Sequence, residues 1–292
     1  MKKQTKLFGV IAIAAIMGFS MSACNVARHL RADEKNRILI FSDDFDGTSL
    51  DNTKWDYCPN WDRQGRSTWM DDMVSVKDGF LHLKLKRDAA LGANKTNDPA
   101  INNNWIRAGA VRTLSRDGTN YLFQNSFGYY EARIKFPVVS GTWGAFWLMS
   151  PTLDNDLANG GEEGTEIDIV ESIRNHKGEF NAALHWNGYG AAHKNVVSGK
   201  KYKSVPVNIY DGDFHTFALL WSPSEYIFYV DDHKFWRVDG GRNFKNCGIN
   251  TNPNYIKLSI ESAPGSGDIP ENFTEAEMLV DYVRVYINQP QK

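Results

Sequence analysis

From Ile38 onward the chain reads as one strand after another. GFLHLKLKR, GYYEARIKFP and TEIDIVESI alternate apolar and polar positions, the period of a strand with one buried face. GAFWLMS is a short apolar run closed by Ser-Pro. DFHTFALLWSP, EYIFYVDD, HKFWRV, YIKLSIES and MLVDYVRVYI follow, rich in β-branched and aromatic residues and punctuated by Gly, Asn, Asp and Pro. EYIFYVDDHKFWRV predicts a hairpin turning at Asp231–Asp232. No long segment carries helical periodicity, and PENFTEAEM predicts at most a short turn of helix. The pattern is that of an all-β, two-sheet antiparallel sandwich. Two long polar insertions interrupt it, KRDAALGANKTNDPAINNNW and SPTLDNDLANGGEEG. Loops of this length in a compact domain tend to be functional. Trp105 and Trp143, beside them, are candidate walls of a cleft.

One strand stands apart. GTEIDIVES, residues 164–172, places Glu166, Asp168 and Glu171 among apolar residues. Side chains at i and i+2 share a strand face, so Glu166 and Asp168 point one way and Ile167 and Ile169 the other. Strict alternation sends Glu171 to the opposite face. A β-bulge at Ile169–Val170 counts two residues as one and returns it. Three carboxylates then line one face, with little positive charge on the following FNAALHWNG to offset them. A half-exposed strand turning its acids to water is the plainer alternative. Like charges so gathered destabilise a fold, however, and glycoside hydrolysis supplies a use. One carboxylate attacks the anomeric carbon, while a second, kept protonated by its neighbours, serves as general acid and then base.

Composition narrows the picture. The net charge of −2 over 292 residues gives no field that attracts nucleic acid, and 42% hydrophobic residues suffice for a large core. The nine Trp and twelve Tyr exceed what a core alone needs. Residues 1–23 read as a signal peptide: a basic MKKQTK, an apolar LFGVIAIAAIMGF too short to span a membrane comfortably, then small residues before Cys24. That resembles a bacterial lipoprotein signal, with lipidation at Cys24, residues 24–37 as anchor and tether, and a domain over 38–288. The implied location is the bacterial cell envelope, at the periplasmic or surface face of the outer membrane, with the protein held by acyl chains rather than spanning. Cys58 and Cys247 either pair or stay as buried thiols. No Cys/His spacing of metal type is present.

EIDIVE is similar to the Glu-x-Asp-x-x-Glu signature of glycoside hydrolase family 16 in its bulged form. FSDDFDGTSLDNTKW, GYYEARIKFPVVSGTWGAFWLMS, DFHTFALLWSPSEYIFYVDD and VDYVRVY resemble other strands of that family, so the resemblance covers residues 38–288. It implies a β-jelly-roll with a concave substrate cleft, and retaining, endo-type cleavage of a glycan by a monomer. Carried over, Glu166 resembles the nucleophile, Asp168 the assisting acid and Glu171 the general acid/base. Trp143 and Trp147 share a face and match sugar-stacking positions, with core packing the alternative. By the same resemblance His185 faces the cleft, with core packing the alternative, and Trp105 and Arg107 lie where sugar-binding residues are placed, with a surface Arg the alternative. Glu261, an acid within the apolar LSIESA, either binds sugar hydroxyls or faces water. No cofactor is implied for catalysis. A structural Ca²⁺ is implied on the convex side, with Gly79 as backbone ligand and Asp281 as side-chain ligand.

Substrate is read from GTEIDIVESI and TWGAFW, which look more like the endo-β-galactosidase branch than the laminarinases. The expected substrates are mucin O-glycans, poly-N-acetyllactosamine or keratan. An endo-β-1,3-glucanase is the alternative. A non-catalytic surface glycan-binding protein is a second, and turnover separates it from both.

Overall fold

The computed structural model describes residues 37–154, 160–199, 205–240 and 247–288. Cys24, the leader and most of the tether lie outside them. The first third supplies β1 (Arg37–Asp43), β2 (Asp56–Tyr57), β3 (Asp62–Arg63), β4 (Ser67–Trp69), β5 (Val74–Lys77), β6 (Phe80–Arg87), β7 (Ile106–Ala108) and β8 (Ala110–Arg112). The middle supplies β9 (Gly128–Lys135), β10 (Trp143–Met149), β11 (Thr165–Arg174), β12 (Glu179–Trp186) and β13 (Lys194–Val197). The remainder is β14 (His215–Trp221), β15 (Tyr226–Val230), β16 (His233–Val238), β17 (Tyr255–Glu261) and β18 (Glu275–Asn288).

Two sheets form. One runs β16-β15-β14-β9-β18-β6-β7-β4-β3, with β1 joined to β18 and β5 to β6. The other runs β13-β12-β11-β10-β17-β8-β2. Pairing is antiparallel except between β4 and β7. This is the all-β jelly-roll sandwich expected from the alternation. Alternate residues of facing strands fill the space between the sheets: Leu81, Leu83 and Leu85 of β6 and Phe217 and Leu219 of β14 meet Phe146 and Leu148 of β10 and Ile256, Leu258 and Ile260 of β17. Burying each such side chain contributes about 1.5–3 kcal/mol before chain entropy is counted.

The hairpin turn falls at Asp231 (φ 45°) and Asp232 (φ 64°), the pair of positive angles that a two-residue turn of this hand requires. Two expectations fail. The segment PENFTEAEM turns briefly and then enters β18 at Glu275, because its Ala276, Met278 and Val280 alternate into the sheet. Helix appears instead inside the first polar insertion, as two short turns, Ala89–Ala93 and Pro99–Asn102. The side chains of Asp88 and Asp98 accept from the first-turn N–H groups of Leu91 and Ala100. Cys58 and Cys247 are both buried free thiols, which closes the pairing alternative.

Candidate active site

β11 carries the predicted bulge. Asp168 lies opposite Ala183 and Glu171 opposite Asn181, so three steps on β11 match two on β12. On the other side Val170 and Asp168 face Phe146 and Trp147, so two steps match one. Ile169 is the extra residue. Ile167, Ile169 and Val170 are all fully buried, while Glu166, Asp168 and Glu171 line a cleft of about 710 Å³ on the outer face of the smaller sheet. Ser172 ties down the end of the bulge, its hydroxyl accepting from the Gly144 N–H at 2.6 Å.

Strand register sets what surrounds each acid. Glu166 is directly opposite His185. Asp168 stands in a row with Lys257 and Trp147 on one side and Ala183 on the other. Glu171 stands in a row with Ser259 and Ala145 on one side and Asn181 on the other. Glu261 is opposite Trp143. The small side chains of Ala145, Ala183 and Ser259 leave open space above Asp168 and Glu171. Trp61, Arg63 and Gln64, around β3, wall one side; Tyr189 and Val197 wall the other.

The polar contacts are specific. Asn181 Nδ2 donates to Glu171 Oε2 at 2.5 Å, and Trp143 hydrogen-bonds the same carboxyl. Tyr189 donates its hydroxyl to Glu166. His185 Nε2 lies 3.4 Å from Asp168 Oδ2, and its Nδ1 is 3.0 Å from His193 Nε2. Trp147 donates its indole N–H to Ser259 at 3.1 Å. Arg63 Nε donates to Glu261 at 2.8 Å. Lys257 is buried, with its ammonium 3.8 Å from the centre of the Trp147 ring, 4.9 Å from Trp69 and 5.5 Å from Trp61. Such contacts stabilise a cation that has left water.

Four buried carboxylates thus face two cations, and the Arg63 charge is matched to Glu261. Protons make up the difference. Burial first, then the charge of Glu166, pushes Glu171 up to about 8, with the Asn181 hydrogen bond opposing. Burial and the fields of Glu166 and Glu171 hold Asp168 well above the carboxylate range. Burial raises Glu166 too, against the Tyr189 hydrogen bond and the Lys257 charge. Burial takes Lys257 down to about 8, and burial beside His193 takes His185 down to about 4.

Glu171 carries a stability consequence. It titrates near 4.5 when unfolded and near 8 when folded, so between those values the unfolded chain has lost a proton that the fold keeps. Its contribution is therefore intact below pH 4.5 and is lost as pH rises through 8. Glu171→Gln keeps an acceptor for Asn181 and removes the titration. Its melting temperature should exceed the wild type by more at pH 8 than at pH 5, and a pH-independent difference would contradict the assignment.

Trp143, Trp147, His185 and Glu261 reach the cleft as anticipated. Trp105 and Arg107 do not. Trp105 is buried under the helical turns, its indole N–H donating to Thr68 at 3.1 Å. Arg107 is paired with Asp72 and lies 3.9 Å from Asp88. The insertion folds back on β4 and β7 rather than over the acids. Trp61, Arg63, Asn181, Tyr189 and Lys257 are site residues that the sequence reading missed. Lys257, Ser259 and Glu261 occupy alternate positions of YIKLSIES, a signal that was present. As for calcium, Gly79 sits in the β5–β6 turn at φ 79°, but Asp281 is already paired with the guanidinium of Arg133.

A family model described as β-porphyranase A–D, GH16 domain, matches residues 37–287. A keratan-sulfate endo-1,4-β-galactosidase from Sphingobacterium multivorum is 31% identical over 85% of the chain and 54% of its own length. The glucan endo-1,3-β-glucosidase A1 of Niallia circulans is 26% identical over 86% of the chain and 38% of its own length. The chain thus spans about half or less of these two proteins. In three dimensions it superposes on a structure reported for endo-acting O-glycanases of human gut microbiota that initiate mucin breakdown (TM-score 0.66, 23% identity, 87% of this chain and 91% of that one). It also superposes on SCLam, a non-specific endo-β-1,3(4)-glucanase (TM-score 0.66, 22% identity, 87% and 92%).

Proposed function

The chain belongs to glycoside hydrolase family 16 over residues 37–287, and from that premise we propose that it is a retaining, endo-acting hydrolase of internal β-galactosidic bonds in mucin O-glycans, poly-N-acetyllactosamine or keratan. The observation that carries the chemistry is the buried acid triplet on a bulged strand at the floor of an open cleft, with Glu171 holding its proton up to about pH 8.

Glu166 is the nucleophile. Its carboxylate attacks the anomeric carbon as the glycosidic bond breaks, and the Tyr189 hydroxyl and the Lys257 charge favour its ionised form. Glu171 gives its proton to the leaving oxygen, then takes one from the water that releases the glycosyl-enzyme. Asp168 keeps its proton and stands between the two glutamates as a hydrogen-bonding group rather than a third charge. The cleft crosses β13, β12, β11, β10 and β17, which suits a chain of several sugars over a single terminal residue. Trp61, Trp143 and Trp147 offer ring faces to sugars, and Arg63 with Glu261 offers polar atoms to hydroxyls. The galactosidic reading leans on the 31% identity to the keratan-sulfate enzyme. Attachment to the envelope through Cys24 belongs to the same proposal.

Product analysis tests it. The protein is incubated in parallel with keratan, mucin O-glycans and laminarin, and the released oligosaccharides are sequenced. Oligosaccharides ending in reducing galactose, from the first two only, are expected. Glucose oligomers from laminarin would move the protein to the β-1,3-glucanases with the mechanism unchanged. Glycan binding without any product, unaltered by Glu166→Gln, would make it a binding protein.

A further inference from the structure

Two of the buried oxygens in the cleft have no hydrogen-bond partner, Glu166 Oε2 and Asp168 Oδ2. Both carboxyl groups are more than nine-tenths buried. His185 completes a set with them: one donor atom from each of the three residues lies within 4.8 Å of the others. We propose that this triplet is a binding site for a divalent transition-metal ion of the Zn²⁺ class, and that the ion excludes glycan while it is bound.

The donor chemistry points to that class. Two carboxylates and one imidazole suit Zn²⁺, whose ligands sit about 2.0–2.2 Å away, with the fourth position left open to the cleft. The three donors must close by about 1 Å to reach that geometry. Ca²⁺ and Mg²⁺ prefer oxygen ligands throughout, whereas one of the three donors here is an imidazole nitrogen. Two anionic ligands and one neutral imidazole cancel the charge of the ion, so binding relieves the like-charge crowding on β11.

His193 adds a structural argument. Its Nε2 is 3.0 Å from His185 Nδ1, and the two rings are nearly parallel, 8° apart. When His185 Nδ1–H donates to His193, the lone pair of His185 Nε2 faces Asp168 Oδ2, as a metal ligand requires. Metal-bound histidines ordinarily have such a partner behind them, and losing it weakens metal binding by about 10–100-fold. The positive charges of Lys257 and Arg63, both of which act on Glu166, oppose the ion and weaken its binding.

Calorimetry on the full chain in a non-chelating buffer tests this directly, with ZnCl₂, CaCl₂ and MgCl₂ as probes. One Zn²⁺ per chain is expected, and no heat from Ca²⁺ or Mg²⁺. Asp168→Asn and His185→Gln should each weaken Zn²⁺ binding by tenfold or more, and His193→Gln by about 10–100-fold. Thermal melts establish that each variant is folded. Absence of stoichiometric Zn²⁺ binding, or binding that survives in both folded variants of the ligands, would overturn the site. Exclusion of glycan rests on the proposed cleft reading and has its own readout. Zn²⁺ should raise the apparent KM without lowering the limiting rate, and EDTA should reverse it. Purely noncompetitive inhibition would overturn that half. If no glycan is cleaved at all, the hydrolase reading fails while calorimetry still decides the metal site.

Discussion

Glu166→Gln is expected to abolish glycan cleavage, and Glu171→Gln to reduce it by about 10²–10⁴-fold, with both proteins folded. The two losses differ in kind. In the proposed mechanism Glu171 supplies proton transfer, for which a loss of about 10²–10⁴ is usual. An activated aryl leaving group needs no proton, so Glu171→Gln should still form the glycosyl-enzyme from such a substrate and then stall. Glu166→Gln removes the nucleophile, and loss of a nucleophile reaches about 10⁶-fold where the group acts within a concerted unit. Neither kind of substrate helps it. Burial raises both carboxyls above their unfolded values, so neutral replacements that do not titrate remove that cost and should raise the melting temperature at neutral pH. Kinetics with a natural and an aryl glycoside, beside a thermal melt, separate the roles. A near wild-type rate from either variant, or aryl-glycoside turnover by Glu166→Gln, would sink the assignment.

Ala145→Leu should lower kcat/KM by about 10²-fold or more with every acid in place. Ala145 is opposite Glu171 on one side and Ser259 on the other, and its methyl group faces the cleft. A leucine there projects over the carboxyl that must reach the leaving oxygen, and a misplacement of about 1 Å at a reacting centre suffices for such a loss. Because the new atoms enter open space, the fold should lose less than the 1–3 kcal/mol of an overpacked core. Ala183→Leu, opposite Asp168, should behave alike. Wild-type kinetics from both variants would show that the sugar does not occupy the space over these rungs.

The strands, the sandwich and the acid cluster were legible because they rest on period-two alternation, and the bulge followed from requiring Glu171 to share a face with its neighbours. Trp105 was misplaced because its loop folds by local rules that alternation does not encode, and Arg107 because β7 pairs with β4 and β6 in the larger sheet, away from the acids. Gly92 lets the two helical turns touch: a Cβ there would come within 2.1 Å of the Asn102 carbonyl oxygen and 2.6 Å of the Trp105 Cβ. That contact draws Trp105 down and away from the acids. Arg63 and Trp61 were hidden for a different reason. They reach the cleft through pairing of β3 with β4 at the far edge of the larger sheet, a long-range arrangement with no local signature. Lys257, a cation on a strand, is buried because indole faces replace its water.

The extra residue in β11 bears on inheritance and on transplantation. On a straight strand the same letters would present Glu166, Asp168 and Val170 together and turn Glu171 inward, so the motif copied alone into another sandwich carries only half its chemistry. Both flanking strands must accept the irregularity. Loss of the single codon for Ile169 would instead leave Glu-Ile-Asp-Val-Glu, whose acids alternate strictly and still share a face. Two spacings of the same three acids are therefore one deletion apart, and a lineage can cross between them without passing through a chain that lacks any one of its acids.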